Sequence, residues 1–383
     1  MIQTAISPQK RRYFLSGYFF LTGIAFASWA SRIPDIKLQL GMNDATFGAI
    51  LFFLPIGSFS GIPISGSLNA KFGSNTMLKW AAFLYPLALI NLGLAQSITH
   101  LAIAMVFFGM VGNLYNVSVN TQALQLAKQF DKSIMSAFHG FWSLAGFSGG
   151  LIGGFFVAKS IVPLYQFIVI AIISYIYILW TMQYLLPGEK STEGVRKLWV
   201  KPSALMWQFG FIALSNMVCE GMMFDWSGVY FQNVVKVSTE WRTTGYISFM
   251  ACMASGRMIA DRLINYWGSR KQLIISGILV ALGLCIATIY PHLIISSIGF
   301  MLVGFGVSSV VPTIYGIVGK NAAHGQASTA LASVSSVGFL GFLIGPPIIG
   351  FLSEAMGMRW AFLTIAILGI TTALQSIRLE KNL

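Results

Sequence analysis

Charge is what this sequence has least of. Only 9% of its 383 residues are Asp, Glu, Lys or Arg, while 56% are hydrophobic. Soluble domains carry about 25% charged residues. A water-soluble chain this poor in charge would expose apolar surface far beyond the few hundred Å² that monomers tolerate. A soluble fold is therefore excluded, and lipid is the solvent that fits a mean hydropathy of +0.74. Acids are scarcer than bases, 11 against 24, leaving a net charge of +13. That excess does not read as nucleic-acid binding, because the bases form no dense run with interleaved aromatics on a polar segment. Cysteine is limited to Cys219, Cys252 and Cys285, all in apolar stretches and without CxxC spacing, which speaks against a disulfide or zinc framework. No HExxH, no paired aspartates and no GxxxxGK[ST] loop occur. Hydrolytic catalysis and ATP-driven pumping by this chain are not expected, and neither is any cofactor or metal.

What the chain does have is long apolar runs. Twelve stretches of spanning length lie near residues 13–31, 45–68, 78–96, 101–127, 134–158, 162–186, 204–231, 244–263, 273–290, 293–319, 327–353 and 360–377. They are continuously apolar rather than alternating, so helices are expected and a barrel is not. Lys10-Arg11-Arg12 followed by an apolar run and Ala25-Phe26-Ala27 resembles a secretory signal. The run continues through Trp29-Ala30, which favours an uncleaved first helix. The longest polar interruption falls at 187–203 and reads as a cytoplasmic linker between a six-helix bundle over 1–186 and another over 204–383. With both termini inside, Arg32, Lys37, Lys159, Lys236, Arg242 and Arg359 are the outer bases, and the other eighteen, Arg257 among them, fall inside. This is the bias that membrane topology predicts.

The halves repeat weakly at an offset of about 190 to 197 residues. Gly66-Ser-Leu-Asn-Ala-Lys-Phe-Gly73 follows the second stretch, and Gly256-Arg-Met-Ile-Ala-Asp-Arg-Leu-Ile-Asn-Tyr-Trp-Gly268 follows the eighth. Ser28-Trp29-Ala30-Ser31 ends the first stretch, and Asp225-Trp226-Ser227-Gly228 ends the seventh. On these segments the chain resembles the major facilitator superfamily over its whole length. The second loop copy matches the family's motif at Gly256, Asp261, Arg262, Gly268, Arg270 and Lys271. The first departs from it, with Ala70 at the acidic position. The resemblance implies that Asp261 and Arg262 help latch the halves on the cytoplasmic side. Trp29–Asp35, Asn116–Gln122, Ser136–Ser143 and Glu220–Ser227 look more specifically like a bacterial subgroup related to sugar-permease-like facilitators. Helix four shows no antiporter arginine, and helix five has glycines but no antiporter proline.

Several residues could carry function. Glu220 and Asp225 lie inside a predicted span, where a charge costs at least about 2.5–3.5 kcal/mol. Such acids point to proton coupling, to a solute contact, or to a structural pair with Arg32 or another buried donor. Arg32 and Asp35 flank Pro34 and read either as an interfacial cap or as an outer gate. Asn113, Asn116 and Asn120 share one helical face and are either interhelical glue or a cavity wall. His139 is a proton shuttle or a satisfied interhelical histidine, and Trp29, Trp142 and Trp226 either stack on a solute or pack. The expectation is a secondary transporter in a bacterial inner membrane. It would be a proton-coupled symporter of a small polar, sugar-like solute working by alternating access as a monomer. Efflux of drugs or metabolites, and a non-transporting membrane sensor, are the alternatives.

Overall fold

The computed structural model of the chain describes residues 6–130, 134–188, 204–321 and 327–379. All but two residues of the expected 187–203 linker lie outside them. Among the described residues, every regular element is a helix. They are α1 (Pro8–Gln39), α2 (Asp44–Leu51), α3 (Phe53–Phe72), α4 (Ser74–Gly93), α5 (Ile98–Ala127), α6 (Met135–Ala158), α7 (Pro163–Thr181), α8 (Ala204–Tyr230), α9 (Thr244–Trp267), α10 (Ser269–Ile289), α11 (Leu293–Val307), α12 (Val310–Asn321), α13 (Ala327–Met356) and α14 (Met358–Ile377). Because α2 runs into α3, and α11 into α12, these make twelve rods.

Nine of the rods are long and apolar enough to cross a membrane by length and composition alone. The other three are α4, α8 and α9. The acids Glu220 and Asp225 lower the hydropathy of α8, and Arg257, Asp261 and Arg262 lower that of α9.

Local chemistry explains the helix ends. Ser7 caps α1 by accepting from the Lys10 amide, with Pro8 at the first helical position. Ser97 caps α5 in the same way through His100. The first helix runs past its expected end at residue 31, carries Pro34 inside it, and stops only at Gly41, whose φ is +62°. Two expected continuous spans are broken. Pro55 follows the break at Phe52, and Pro312 follows the break at Ser308-Ser309. In both cases the missing amide falls in the first turn of the new helix, where no bond is lost.

The chain divides into two compact units, Met1–Leu40 with Phe53–Val195, and Gly41–Phe52 with Arg196–Leu383. Each unit pairs its helices in the same way. In the first, α1 packs on α6, α3 on α5, α4 on α5 and α4 on α7. In the second, α8 packs on α13, α9 on α11, α10 on α11 and α10 on α14. The repeat is therefore one of packing and not only of sequence.

Glycine sets the closest of these contacts. A Cβ on Gly109 would stand 2.1 Å from the Leu54 carbonyl oxygen, and one on Gly304 would stand 2.2 Å from that of Phe249. Both members of the second pair lie 195 residues after those of the first. Gly61 faces Met110 and Asn113, and Gly256 faces Phe305 and Ser308, again at that offset. Where lipid gives helices no hydrophobic reason to associate, such backbone contact is the source of adhesion.

This packing predicts a contrast within α3. A Cβ at Gly57 would stand 2.0 Å from the Val106 carbonyl oxygen, while nothing lies within 4 Å of one at Gly66. Gly57→Ala should destabilise the purified protein by about 1–3 kcal/mol. Gly66→Ala should leave it unchanged or raise its stability by up to about 1 kcal/mol. Equal thermal midpoints for the two variants in detergent would contradict the assignment.

Candidate functional site

Glu220 lies well inside α8 and is 7% exposed. Its Oε1 accepts from Arg257 Nη2 of α9 at 3.0 Å. The Arg257 side chain keeps 27% of its surface exposed. It stands ten residues before the end of α9, about 15 Å at 1.5 Å per residue. Arg257 is thus not a loop charge, as the count of inner bases had placed it, but the partner of a buried acid. The signal that could have identified it is that residue 257 already fell inside the predicted span 244–263.

Asp225 is half-buried on the same helix. Five residues turn it about 140° from Glu220, and the two acids do not share Arg257. Tyr246 of α9 lies beside it, its ring 6.4 Å from that of Phe224 and its hydroxyl within electrostatic reach of Asp225. The Tyr246 hydroxyl is buried with no hydrogen-bond partner among the described residues. Trp226 is fully buried against Phe47, the rings 5.2 Å apart and edge-on, and its indole nitrogen likewise lacks a partner.

In the first unit, Trp29 is fully buried and its indole nitrogen is unpaired among the described residues. Arg32 is 2% exposed. Its Nε is 2.8 Å from Asp35 Oδ2, and its Nη2 donates to the Ile161 carbonyl in the α6–α7 loop. The guanidinium therefore points into the bundle. The asparagine stripe on α5 divides. Asn113 faces Gly61 in the contact with α3. Asn116 is exposed and accepts from Asn120 Nδ2 at 2.9 Å through its carbonyl and 3.2 Å through its amide oxygen. Nine residues place Asn116 about 180° around the helix from the exposed Phe107. His139 is exposed with its ring edge-on to Phe19 at 5.6 Å. Trp142 is half-buried beside Phe26. The structure thus brings Glu220 to Arg257 and Arg32 to Asp35.

The loop motif keeps its shape where its residues differ. Gly73 and Gly268, 195 residues apart, have φ of +81° and +83°, a conformation that requires glycine. Two residues on, Arg270 donates to the Ser376 carbonyl at 3.3 Å and to that of Ile377. In the first copy Asn75 donates to the Leu186 carbonyl at 2.7 Å. Arg270 thus closes the end of α14, and Asn75 holds the chain that leaves α7. Arg262 is exposed on α9. Asp261 is on the same helix, and its side chain lies outside the described residues. No group of three or more His, Cys, Asp or Glu among the described residues is placed to hold a metal.

Comparison with known proteins agrees with this architecture. The profile of the Major Facilitator Superfamily matches residues 14–263 and 245–380. An uncharacterized MFS-type transporter of Yersinia pestis is 32% identical over 355 residues, 93% of this chain and 92% of the relative. Membrane protein MosC of Rhizobium meliloti is 30% identical over 369 residues, 95% of this chain and 89% of the relative. Among solved structures, the nucleoside transporter NupG (D323A mutant) superposes with a TM-score of 0.76 at 13% identity, over 96% of this chain and 99% of that one. A bacterial homolog of the human lysosomal transporter Spinster gives 0.76 at 12% identity, over 96% of each chain. These structures share the fold; the sequence relatives and the profile establish the family. The chain belongs to the Major Facilitator Superfamily and is a multi-pass membrane transporter of a small-molecule solute.

Proposed function

We propose that the protein is a proton-coupled symporter. In this reading it imports a small, polar, sugar-like solute across a bacterial inner membrane, as a monomer with both termini in the cytoplasm. Glu220 takes and releases the coupling proton.

One observation carries this reading: the Glu220–Arg257 pair exists in one repeat and not in the other. At the offset of 195 the corresponding residues are Ala25 and Ile62, and the offset of 197 between Trp29 and Trp226 gives Gly23 in place of Ala25. The helix pairings that the two units share, α1–α6 with α8–α13 and α3–α5 with α9–α11 among them, form in the first unit without an ion pair at these positions. A buried ion pair is expensive to desolvate and contributes little net stability. It serves instead as a two-position switch. When Glu220 is ionised it holds Arg257. When it is protonated it releases the guanidinium, which is exposed enough to turn to water or solute. Of the other charges on the helices packed against α8, Asp261 and Arg262 stand four and five residues after Arg257 on α9. Among the described residues α11 has none, α13 has Glu354 near its end, and α14 has Arg359 at its start. Asp225 is the second acid on the path. The amides of exposed Asn116 and half-buried Asn120 both donate and accept, which suits a neutral solute rich in hydroxyls.

Glu220→Gln should abolish accumulation driven by a pH gradient in right-side-out vesicles while leaving counterflow exchange measurable. Normal gradient-driven uptake by this variant would sink the role given to Glu220. Accumulation by everted vesicles alone would reverse the direction and make the protein an exporter.

The pair also predicts a stability pattern. Arg257→Leu leaves a buried carboxylate alone and should cost about 3 kcal/mol. Adding Glu220→Leu should recover most of that loss. A double variant less stable than Arg257→Leu, by thermal unfolding in detergent, would show that the pair is a packing device instead.

A further inference from the structure

The first unit has an apolar groove of about 320 Å³ between α1, α6 and α7, lined chiefly by Tyr13, Phe20, Ile24, Ile173, Tyr177 and Trp180. None of the residues assigned above to coupling or solute contact lines it. Gly17 forms part of its wall. A Cβ there would stand 1.9 Å from the Tyr177 hydroxyl, which donates to the Phe14 carbonyl at 2.8 Å.

The mouth of the groove is cationic. Lys10 precedes Tyr13 by three residues and Gly17 by seven, so it continues the helical stripe that lines the groove. It is exposed, with its ammonium 4.9 Å from the Tyr184 ring centroid. Arg11 donates to the Tyr184 and Leu185 carbonyls at 3.0 and 2.9 Å, which holds it beside the end of α7. Arg12 stacks at 5.9 Å on Phe130. No acid among the described residues neutralises these three. Among the described residues of this unit the one acid is Asp35, twenty-five residues along α1 and so about 37 Å from Lys10. Tyr13, 71% exposed, and Trp180, 59% exposed, stand at the same end. Such amphipathic rings sit at the level of lipid headgroups.

We propose that this groove is a binding site for an anionic phospholipid. One acyl chain lies along the α1–α6–α7 cleft, and the phosphate meets Lys10 and the free side of the Arg11 guanidinium. Basic clusters abutting a membrane helix attract anionic lipid in general; the apolar cleft that continues the cluster makes this one a site. Neither feature depends on which solute is carried.

The test titrates the full-length protein in detergent with dioleoylphosphatidylglycerol or dioleoylphosphatidylcholine, reading thermal midpoint and lipid retained in native mass spectra. Phosphatidylglycerol should raise the midpoint saturably and by several degrees more than phosphatidylcholine. Lys10→Gln should shrink that difference at least twofold, and Ile173→Trp, which fills the cleft, should remove saturable binding of both. Equal effects of the two lipids on the unaltered protein, or an undiminished phosphatidylglycerol effect in both variants, would overturn the proposal.

A separate observation concerns the second unit. Asn216 is 4% exposed, and its Nδ2 has no partner among the described residues. It lines a cavity of about 10 Å³ with Ser215, Cys219, Ser276 and Thr372. That is about the space one water needs, and the lining offers the two to four polar partners a buried water uses. We infer that a single water accepts from Asn216 Nδ2 and bridges α8 to Ser276 of α10, one turn from Glu220. A high-resolution map should show it, and Asn216→Leu should lower the thermal midpoint by stranding the water. An empty cavity in a map that resolves other buried waters, or a midpoint raised by Asn216→Leu, would overturn it. The second result would mean that an orphaned donor had been removed.

Discussion

In lipid a helix gains nothing by hiding leucine from its surroundings, because acyl chains are as apolar as leucine. Adhesion must come from van der Waals contact and hydrogen bonds, and contact is greatest where backbones touch. Both units rest on that constraint. Gly109 and Gly304 meet the carbonyls of Leu54 and Phe249, and Gly61 and Gly256, on those partner helices, face Met110 and Phe305 in return. The equal spacing of these pairs along the chain means that the two bundles are one packing solution used twice. Every site on the protein is hung on that repeated frame.

The frame makes departures from symmetry informative. Had both units carried an ion pair between their first and second long helices, the pair could be part of the architecture. Among the described residues only the second has one, Glu220 with Arg257, where the first has small or apolar residues. Under the proposed coupling role, Glu220 is a carboxylate that trades a guanidinium for a proton. The first unit has its own buried cation, Arg32, but it is held by Asp35 three residues away and by the Ile161 carbonyl. That arrangement ties a helix to a loop rather than one long helix to another.

The loop motif shows the opposite relation, in which a shared job is done by different residues. Arg270 and Asn75 occupy matching places after glycines of matching φ, and each holds backbone at or beyond the end of its unit's last long helix. A charged fork and a neutral amide both satisfy free carbonyls, so the first copy keeps an anchoring bond although its motif is degraded.

Much of this was legible in the residues. Scarce charge dictated lipid, the apolar runs gave twelve rods, and Trp29 with Trp226 and Gly73 with Gly268 announced the repeat. Glu220 stood out because an acid inside an apolar run is costly wherever the chain goes. These properties depend on composition and local spacing, which a one-dimensional string contains. The tertiary structure decided what each polar group meets. Arg257 counts as a topological charge until α9 is laid against α8, and then it is the partner of Glu220. Asn113 and Asn116 look alike on a helical wheel, yet one faces α3 and the other is exposed, because only packing determines which side of a helix is covered. Pairing across dozens of residues is a matter of distance in space, and hydropathy has no term for it.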